Sequence, residues 1–349
     1  MTPSASLALC AGRFVLPTAA HLALVRAALG RAPLCVVALR RAHQAATPAN
    51  PFSWDERARM LLAGLRDDER ERVQVRPVRE HYDGQRLVQD LAALTSGARG
   101  VEWVVAGEPP VHEDDLPAGW RFDSVAGTDP DVAACAWLEQ LYAAEEPSRG
   151  LAALDANLPR DAAAFLREWI RSGTFATVRD DWRQIRKERR IWSVVPYPVI
   201  LVTVDALVHA GGHVLLVRRG RAPGKGLWAI PGGFLETREG VQEAAVRELV
   251  EETGIPLTIG QAREKLRGVK VFDHPERSQR GRVITHTYFF DLGDAPPPRV
   301  QGGDDAAEAR WIPLARLPSM EAQLHDDHFH MMASFGLVTP EVPNDRHAS

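Results

Sequence analysis

Glu248, Glu251 and Glu252 stand at i, i+3 and i+4 within GGFLETREGVQEAAVRELVEETGI, a stretch that begins at Gly232. At about 100° per residue on a helix they share one sector, and Ala245, Val246, Leu249 and Val250 share another. One face packs and the other is acidic. Carboxylates at this spacing repel one another, so the helix gains nothing from them without a cation. Mg²⁺ is the natural one, because it takes oxygen ligands, keeps several waters and is completed by substrate phosphates. Pro231-Gly232-Gly233 just upstream forms a turn whose backbone carbonyls can approach the same ion, since glycine has no Cβ in the way. Gly254 fits the residue after the helix end.

A lone ExxEE cluster is ordinarily a solvated helix face. Here Glu239 follows Gly233 after five residues, Arg247 follows after seven more, and Glu248, Leu249, Glu251, Glu252, Gly254 and Ile255 complete the pattern. Those nine positions resemble the Nudix box in full, over a domain expected at about 197–335. The resemblance implies a metal-dependent hydrolase. Glu248, Glu251 and Glu252, with the Gly232 carbonyl, would bind Mg²⁺ or Mn²⁺; Arg247 would orient the carboxylates and Glu239 would support loop and helix. Glu252, or an acid outside the box such as Asp305, would take the proton of the attacking water.

Three further stretches resemble the ADP-ribose pyrophosphatase branch of the family: VDALVHAGGHVLLVRRGRAPGKGLWAIPGG, RGRVITHTYFFDL, and GGDDAAEARWIPLARL followed by DDHFHMM. Asp304 and Asp305 would there supply a further ligand or the base, against the plainer reading that they cap a turn. Arg219 and Arg282 could meet a diphosphate, although single arginines are more often surface residues.

The elements that must carry these residues come in two sets. In the first half, apolar runs at Leu7–Cys10, Leu34–Leu39, Val73–Val78 and Val101–Val105 alternate with helical stretches at about His21–Leu29, Trp54–Leu65 and Arg86–Leu94. Ser53 and Glu56 form a capping box for the second helix. Strand alternating with helix argues a parallel sheet covered on both faces. A helical, charge-rich connection follows from Asp161 to Trp192; its Arg183, Arg186, Lys187, Arg189 and Arg190 read as a solvated face. At Pro196-Tyr197-Pro198 the character changes to β-branched runs, Val199–Val208 and Val214–Val217, joined by the hairpin signal Ala210-Gly211-Gly212. The expected fold class is α/β, a Rossmann-like nucleotidyltransferase domain at 1–180 followed by a Nudix α/β/α sandwich.

That first assignment rests on a resemblance. Gly12–His21, between the first strand and helix, lies where a loop and a helix N-terminus favour phosphate. Together with Asn50–Arg57 it resembles the nicotinamide mononucleotide (NMN) adenylyltransferases, and the order of the two domains resembles the bifunctional NMN adenylyltransferase/Nudix hydrolase family. Thr18 and His21 would then contact ATP phosphates. Two departures argue against transfer activity. Ala20 replaces the glycine of the HxGH signature, and the best counterpart of the second motif, ISxTxxR at a helix start, is Ala133–Glu139. There Ala134 and Ala136 replace hydroxyls and Glu139 replaces the arginine, with Arg149 or Arg160 as conceivable substitutes.

Composition bounds the partners. With 45% apolar and 25% charged residues and a net charge of -4, no global basic field exists to hold nucleic acid or an anionic membrane. The three cysteines, Cys10, Cys35 and Cys135, show no metal-ligand spacing and suit a reducing compartment. The apolar SASLALCAGRFVL has no basic segment before it, and no run approaches the ~18 apolar residues of a spanning helix. The expectation is a cytoplasmic enzyme of NAD metabolism, cleaving ADP-ribose or a related small nucleotide to AMP and ribose 5-phosphate, with a homo-oligomer left open. Two rivals are a fully bifunctional enzyme and a non-catalytic ADP-ribose sensor. The sensor would need a DNA-binding domain, and only a short tail follows Met332.

Overall fold

The computed structural model describes residues 6–96, 98, 100–152 and 158–339, so Ser4 and Ala5 of the first apolar segment lie outside the described residues. The chain divides into two compact units, Met1–Arg179 and Asp180–Ser349.

In the first unit, β1 (Leu7–Gly12), α1 (Ala19–Leu29), β2 (Cys35–Leu39), α2 (Trp54–Ala63), α3 (Asp67–Arg70), β3 (Val73–Pro77), α4 (Gly84–Leu94), β4 (Val101–Ala106) and β5 (Trp120–Val125) alternate strand and helix. Helices α5 (Pro130–Ala143), α6 (Pro147–Ala152), α7 (Arg160–Trp169) and α8 (Gly173–Trp192) follow, and α8 contains the boundary between the units. The sheet is parallel throughout, in the order β3-β2-β1-β4-β5, which is Rossmann-like. Strands covered on both faces read as unbroken apolar runs, as Cys35–Leu39 does with every residue buried. Alternation sends Ala8, Cys10, Val37 and Leu39 into one core with Leu22, Val25 and Leu61, and Leu9, Val36 and Ala38 into the other with Leu87, Leu91 and Trp103. At Ser53 the expected capping box forms: Glu56 N–H donates to Ser53 Oγ (3.2 Å), and Ser53 N–H donates to the Glu56 carboxylate (2.8 Å).

The second unit contains β6 (Ile200–Ala210), β7 (His213–Arg219), β8 (Trp228–Ala229), β9 (Gly232–Phe234), α9 (Val241–Thr253), α10 (Ile259–Lys265), β10 (Leu266–Phe272), β11 (Arg282–Asp291), β12 (Ala306–Pro313) and α11 (His328–Ser334). Its mixed sheet runs β10-β11-β6-β7-β12, with β9 paired to β6 and β8 to β7. Gly211 and Gly212, at φ 50° and 74°, make the two-residue hairpin turn between β6 and β7, a conformation that favours glycine. Val204, Ala206 and Val208 pack under α9 through Ala245, Val246 and Leu249, while Leu207 faces a second core with Ile230, Phe329 and Met332. The result is an α/β/α sandwich.

Candidate active site

Helix α9 is flanked by Gly240 at its start and by Gly254 at its end, whose φ of 60° and N–H to Val250 C=O (2.8 Å) close it in the left-handed geometry glycine permits. Its apolar face fixes the rotation, and this decides where each carboxylate points. Glu248 and Glu252 turn into a cleft of about 580 Å³, whereas Glu251 is half exposed at its rim. The cleft is also lined by Asp205 of β6, Gly232 and Gly233 of β9, Thr285 of β11, and Arg219, Arg277, Arg280, His325 and Asp326.

Arg247 collects most of the box. It donates to both oxygens of Glu239 (2.9 and 2.7 Å), to Glu248 Oε1 (2.9 Å) and to Glu251 Oε2 (2.9 Å). The Glu239 hydrogen bonds, ahead of the others, hold the guanidinium well above its ordinary pKa, and the same bonds hold Glu239 below the usual carboxylate range. Arg247 therefore relieves the repulsion between Glu248 and Glu251 that the sequence pattern predicts. Glu252 has no share in that fan. Its Oε2 accepts from Gly232 N–H (3.0 Å), and burial pushes its pKa up to about 8.

The two glycines matter for different reasons. A Cβ on Gly232 would lie 2.2 Å from the Val204 carbonyl oxygen, so the strand pairing of β9 with β6 excludes one. A Cβ on Gly233 would meet Glu248 Oε1 at 2.5 Å, so this position is open only because the carboxylate uses the space. Behind Gly232, Asp205 accepts from Thr285 Oγ1 (3.0 Å), and burial raises it to about 7. Burial likewise raises Glu248 and Asp326. Two buried and two partly buried acids in one cleft constitute an excess of carboxylate that the fold leaves costly to ionise.

These residues offer oxygen donors only, which fits a hard divalent cation. Among the described residues no three acidic, histidine or cysteine side chains form a ready-made metal cluster; Arg247 bonds Glu248 and Glu251, and Glu252 bonds Gly232 N–H. Gly232, Glu248, Glu251 and Glu252 all line the same cleft.

The cleft also holds arginines, most of them illegible in the sequence. Arg277 pairs with Asp327 through two buried hydrogen bonds (3.0 and 2.7 Å). Arg280 pairs with Glu188 (2.6 Å) and lies 4.8 Å over the ring of Phe234. Arg219 donates to Pro223 C=O (2.9 Å) and, being buried, has its pKa lowered. The expectation for Arg282 needs correction: its guanidinium donates to Asp273 C=O and it is not among the residues lining the cleft. Period-two alternation on β11 puts Val283 and Thr285 on the cleft face and Arg282 on the other.

Asp304 and Asp305 both line the cleft. Asp304, at φ 46°, sits close enough for its charge to raise Glu248, while Asp305 pairs with Arg221 at the exposed rim (2.7 Å). Helix α8 shows its basic residues outward, apart from an Arg189 bond to Gln279 C=O (2.9 Å). The same helix also turns Gln184 and Glu188, one turn apart, into the cleft. Attention to the basic run misses both.

In the first unit, the end of the parallel sheet where α/β proteins bind ligands holds Thr18 and His21, as expected, but both are buried and engaged. His21 Nδ1 accepts from Thr18 N–H (3.2 Å), which leaves Nε2 to face Asp131 Oδ1 (3.3 Å). The placement of the second motif also needs correction. Helix α5 begins at Pro130 with Asp129 as its cap, so Ala133–Glu139 lies inside the helix and not at its start. The residue that reaches the sheet from the helix start is Asp131.

Residues 200–335 match the family model of the NUDIX domain. An ADP-ribose pyrophosphatase from Methanocaldococcus jannaschii is 36% identical over 138 residues, covering 40% of this chain and 76% of that protein. The chain belongs to the Nudix family and is a Nudix hydrolase. Similarity continues through the first unit: two structures of a bifunctional NMN adenylyltransferase/ADP ribose pyrophosphatase from Francisella tularensis, one complexed with AMP and a manganese ion, match with TM-scores of 0.83 and 0.84. Each is 25% identical and covers 95% of this chain and 98% of its own. An ADPR responsive transcriptional repressor from Acinetobacter baylyi is 34% identical over 143 residues, 39% of this chain and 53% of the repressor.

Proposed function

We propose that the second unit hydrolyses the diphosphate of ADP-ribose, or of a related nucleoside diphosphate derivative, to AMP and ribose 5-phosphate, using Mg²⁺ or Mn²⁺ in NAD metabolism. The observation that carries this reading is a single cleft lined both by the carboxylates of α9 and by Arg219, Arg277 and Arg280. A diphosphate with a divalent cation complements both at once. The pyrophosphatase names of the Methanocaldococcus and Francisella relatives support the same substrate class.

Glu248, Glu251, Glu252 and the Gly232 carbonyl would hold the cation, which when bound neutralises phosphate charge and makes water a better nucleophile. Arg247, clamped by Glu239, positions Glu248 and Glu251. Glu252 is the favoured proton acceptor, since Gly232 N–H fixes its carboxylate and Asp305 is engaged by Arg221. Arg219 and Arg280, which line the same cleft, would hold the anionic substrate. Incubating the protein and Mg²⁺ with a panel of nucleoside diphosphate derivatives, with products separated by chromatography, tests the assignment. ADP-ribose should lead the panel, and turnover confined to nucleoside triphosphates would refute it.

The first unit, in this reading, does not join NMN to ATP. The Francisella likeness favours a bifunctional enzyme, but three arginines at the ligand end of this sheet are internally engaged. Arg40 and Arg41 both pair with buried Glu80, and Arg57, fully buried, donates to the backbone carbonyls of Arg13, Arg40 and Arg41. Adenylyl transfer needs such groups on the triphosphate. A coupled assay for NAD formation, run on Glu252→Gln so that product survives, should show none. Turnover within an order of magnitude of an intact adenylyltransferase would restore the bifunctional reading.

A further inference from the structure

We propose that the Asp131 carboxylate is a built-in anion filling the phosphate cradle of the first unit, so that the unit closes on its own side chain where a nucleotide phosphate would sit. This deepens, and rests on, the reading of that unit as inactive in transfer.

The cradle is formed by the turn after β1. Arg13 and Phe14 N–H groups donate to Asp131 Oδ2 (3.1 and 3.0 Å), and Val15 N–H donates to Oδ1 (2.7 Å). Phe14 adopts φ 47°, a left-handed conformation that a buried aromatic residue rarely takes. Successive N–H groups converging around such a residue make an anion nest, the same device that receives phosphate in Gly-rich loops. His21 Nε2 closes the fourth side at 3.3 Å from Oδ1. Both oxygens thus have two partners each, which saturates a carboxylate in the way a phosphate would be saturated.

The carboxylate arrives from outside the turn. Asp131 sits in the first turn of α5, whose N-terminus adds a favourable partial charge, and Asp129 caps that helix by accepting from Asp131 N–H (2.9 Å). Only 3% of Asp131 is exposed. Burial favours its neutral form, but His21, Arg13 and the Val15 N–H outweigh that and hold it at about 2, so it is a full anion at neutral pH. A buried charge this well satisfied cannot be displaced cheaply by a ligand of the same sign.

The test is anion rescue. Asp131→Ala is expected to lower the melting temperature, and formate or inorganic phosphate should restore it by roughly 5 °C at saturation through mass action on the emptied nest. Leu91→Ala, a buried core truncation in the same unit, should lose stability and gain no more from these anions than the wild type does. Equal responses of the two variants would overturn the proposal. If Asp131→Ala does not fold, amide hydrogen exchange on the wild type decides. The Arg13, Phe14 and Val15 amides should exchange slowly and be unaffected by ATP or phosphate, and added protection by either would overturn it. The NAD assay reads separately: no rescue together with no NAD sinks only the cradle, whereas NAD formation with residues 13–15 unmoved by ATP sinks only the inactivity.

Discussion

Glu252 is asked to be an anion beside a cation, yet in the protein alone its burial favours the proton, with a pKa of about 8. The folded pKa is raised above the unfolded value, so the unfolded chain binds fewer protons between about pH 4.5 and 8, and stability falls as pH rises through that window. In chelator, Glu252→Gln should therefore melt near the wild type at pH 5 and above it at pH 8 and beyond, by an amount on the order of a few kcal/mol. Thermal melts across that range check this, and a flat difference would show that Glu252 is solvated. The same burial means that Mg²⁺ competes with a proton. Its affinity should strengthen as pH approaches 8 and level off above, measurable by titration calorimetry; an affinity independent of pH from 6 to 8 would contradict the buried-acid account. Of the residues involved, the glutamates of the box were legible because helix geometry converts spacing into direction. Asp205, Thr285, Arg277 and Asp327 were not, because strand pairing and α11 bring them together from distant segments that carry no spacing signal.

At the scale of elements, β9 and α9 work as a pair. The backbone of β9 presents Gly232 N–H to Glu252, and the open side of Gly233 accommodates Glu248. Gly233→Ala should displace a flexible carboxylate end and little else, so it should cost activity, roughly tenfold or more, with a shift in melting temperature of only a few degrees. Gly232→Ala meets backbone oxygen and should destabilise the unit by about 1–3 kcal/mol. Paired activity and melting measurements on the two variants check the contrast, and equal effects on stability would show that Glu248 is not the contact that matters. Helix α8 was read from sequence as a connection with a solvated basic face. The outward arginines agree, but Glu188 is the counter-ion of Arg280 in the cleft. Charge composition along a helix does not say which of its few acids faces inward, and this role stayed hidden. A fragment beginning at Gly173 keeps α8 whole and should hydrolyse substrate, whereas one beginning at 190 loses Glu188 and should bind substrate less tightly. Comparing KM for the two fragments checks this, and identical values would remove Glu188 from the account.

The whole molecule joins two units that treat anions in opposite ways. In the second, acids and arginines line one open cleft, which on the proposed reading takes a cation and a diphosphate. In the first, Asp131, Glu80 and backbone carbonyls pair with the turn amides, Arg40, Arg41 and Arg57, which on the proposed reading are the groups a nucleotide would need. Strand-helix alternation was enough to read the parallel sheet of the first unit, whereas the Nudix sandwich was read through the resemblance its box carries, and no helix among the described residues is long and apolar enough to cross a membrane. The internal pairing was harder to read. The loss at Ala20 showed a departure from the family pattern, but Asp131 lies 110 residues from His21 and only the folded sheet makes them neighbours. The most direct measurement of the central claim is steady-state hydrolysis of ADP-ribose in Mg²⁺ by the full chain and by Glu252→Gln, side by side. The account predicts AMP and ribose 5-phosphate in equal amounts from the wild type and a loss of at least about a hundredfold in the variant, with its fold intact. Equal turnover by both proteins, or binding of ADP-ribose without cleavage by either, would contradict it.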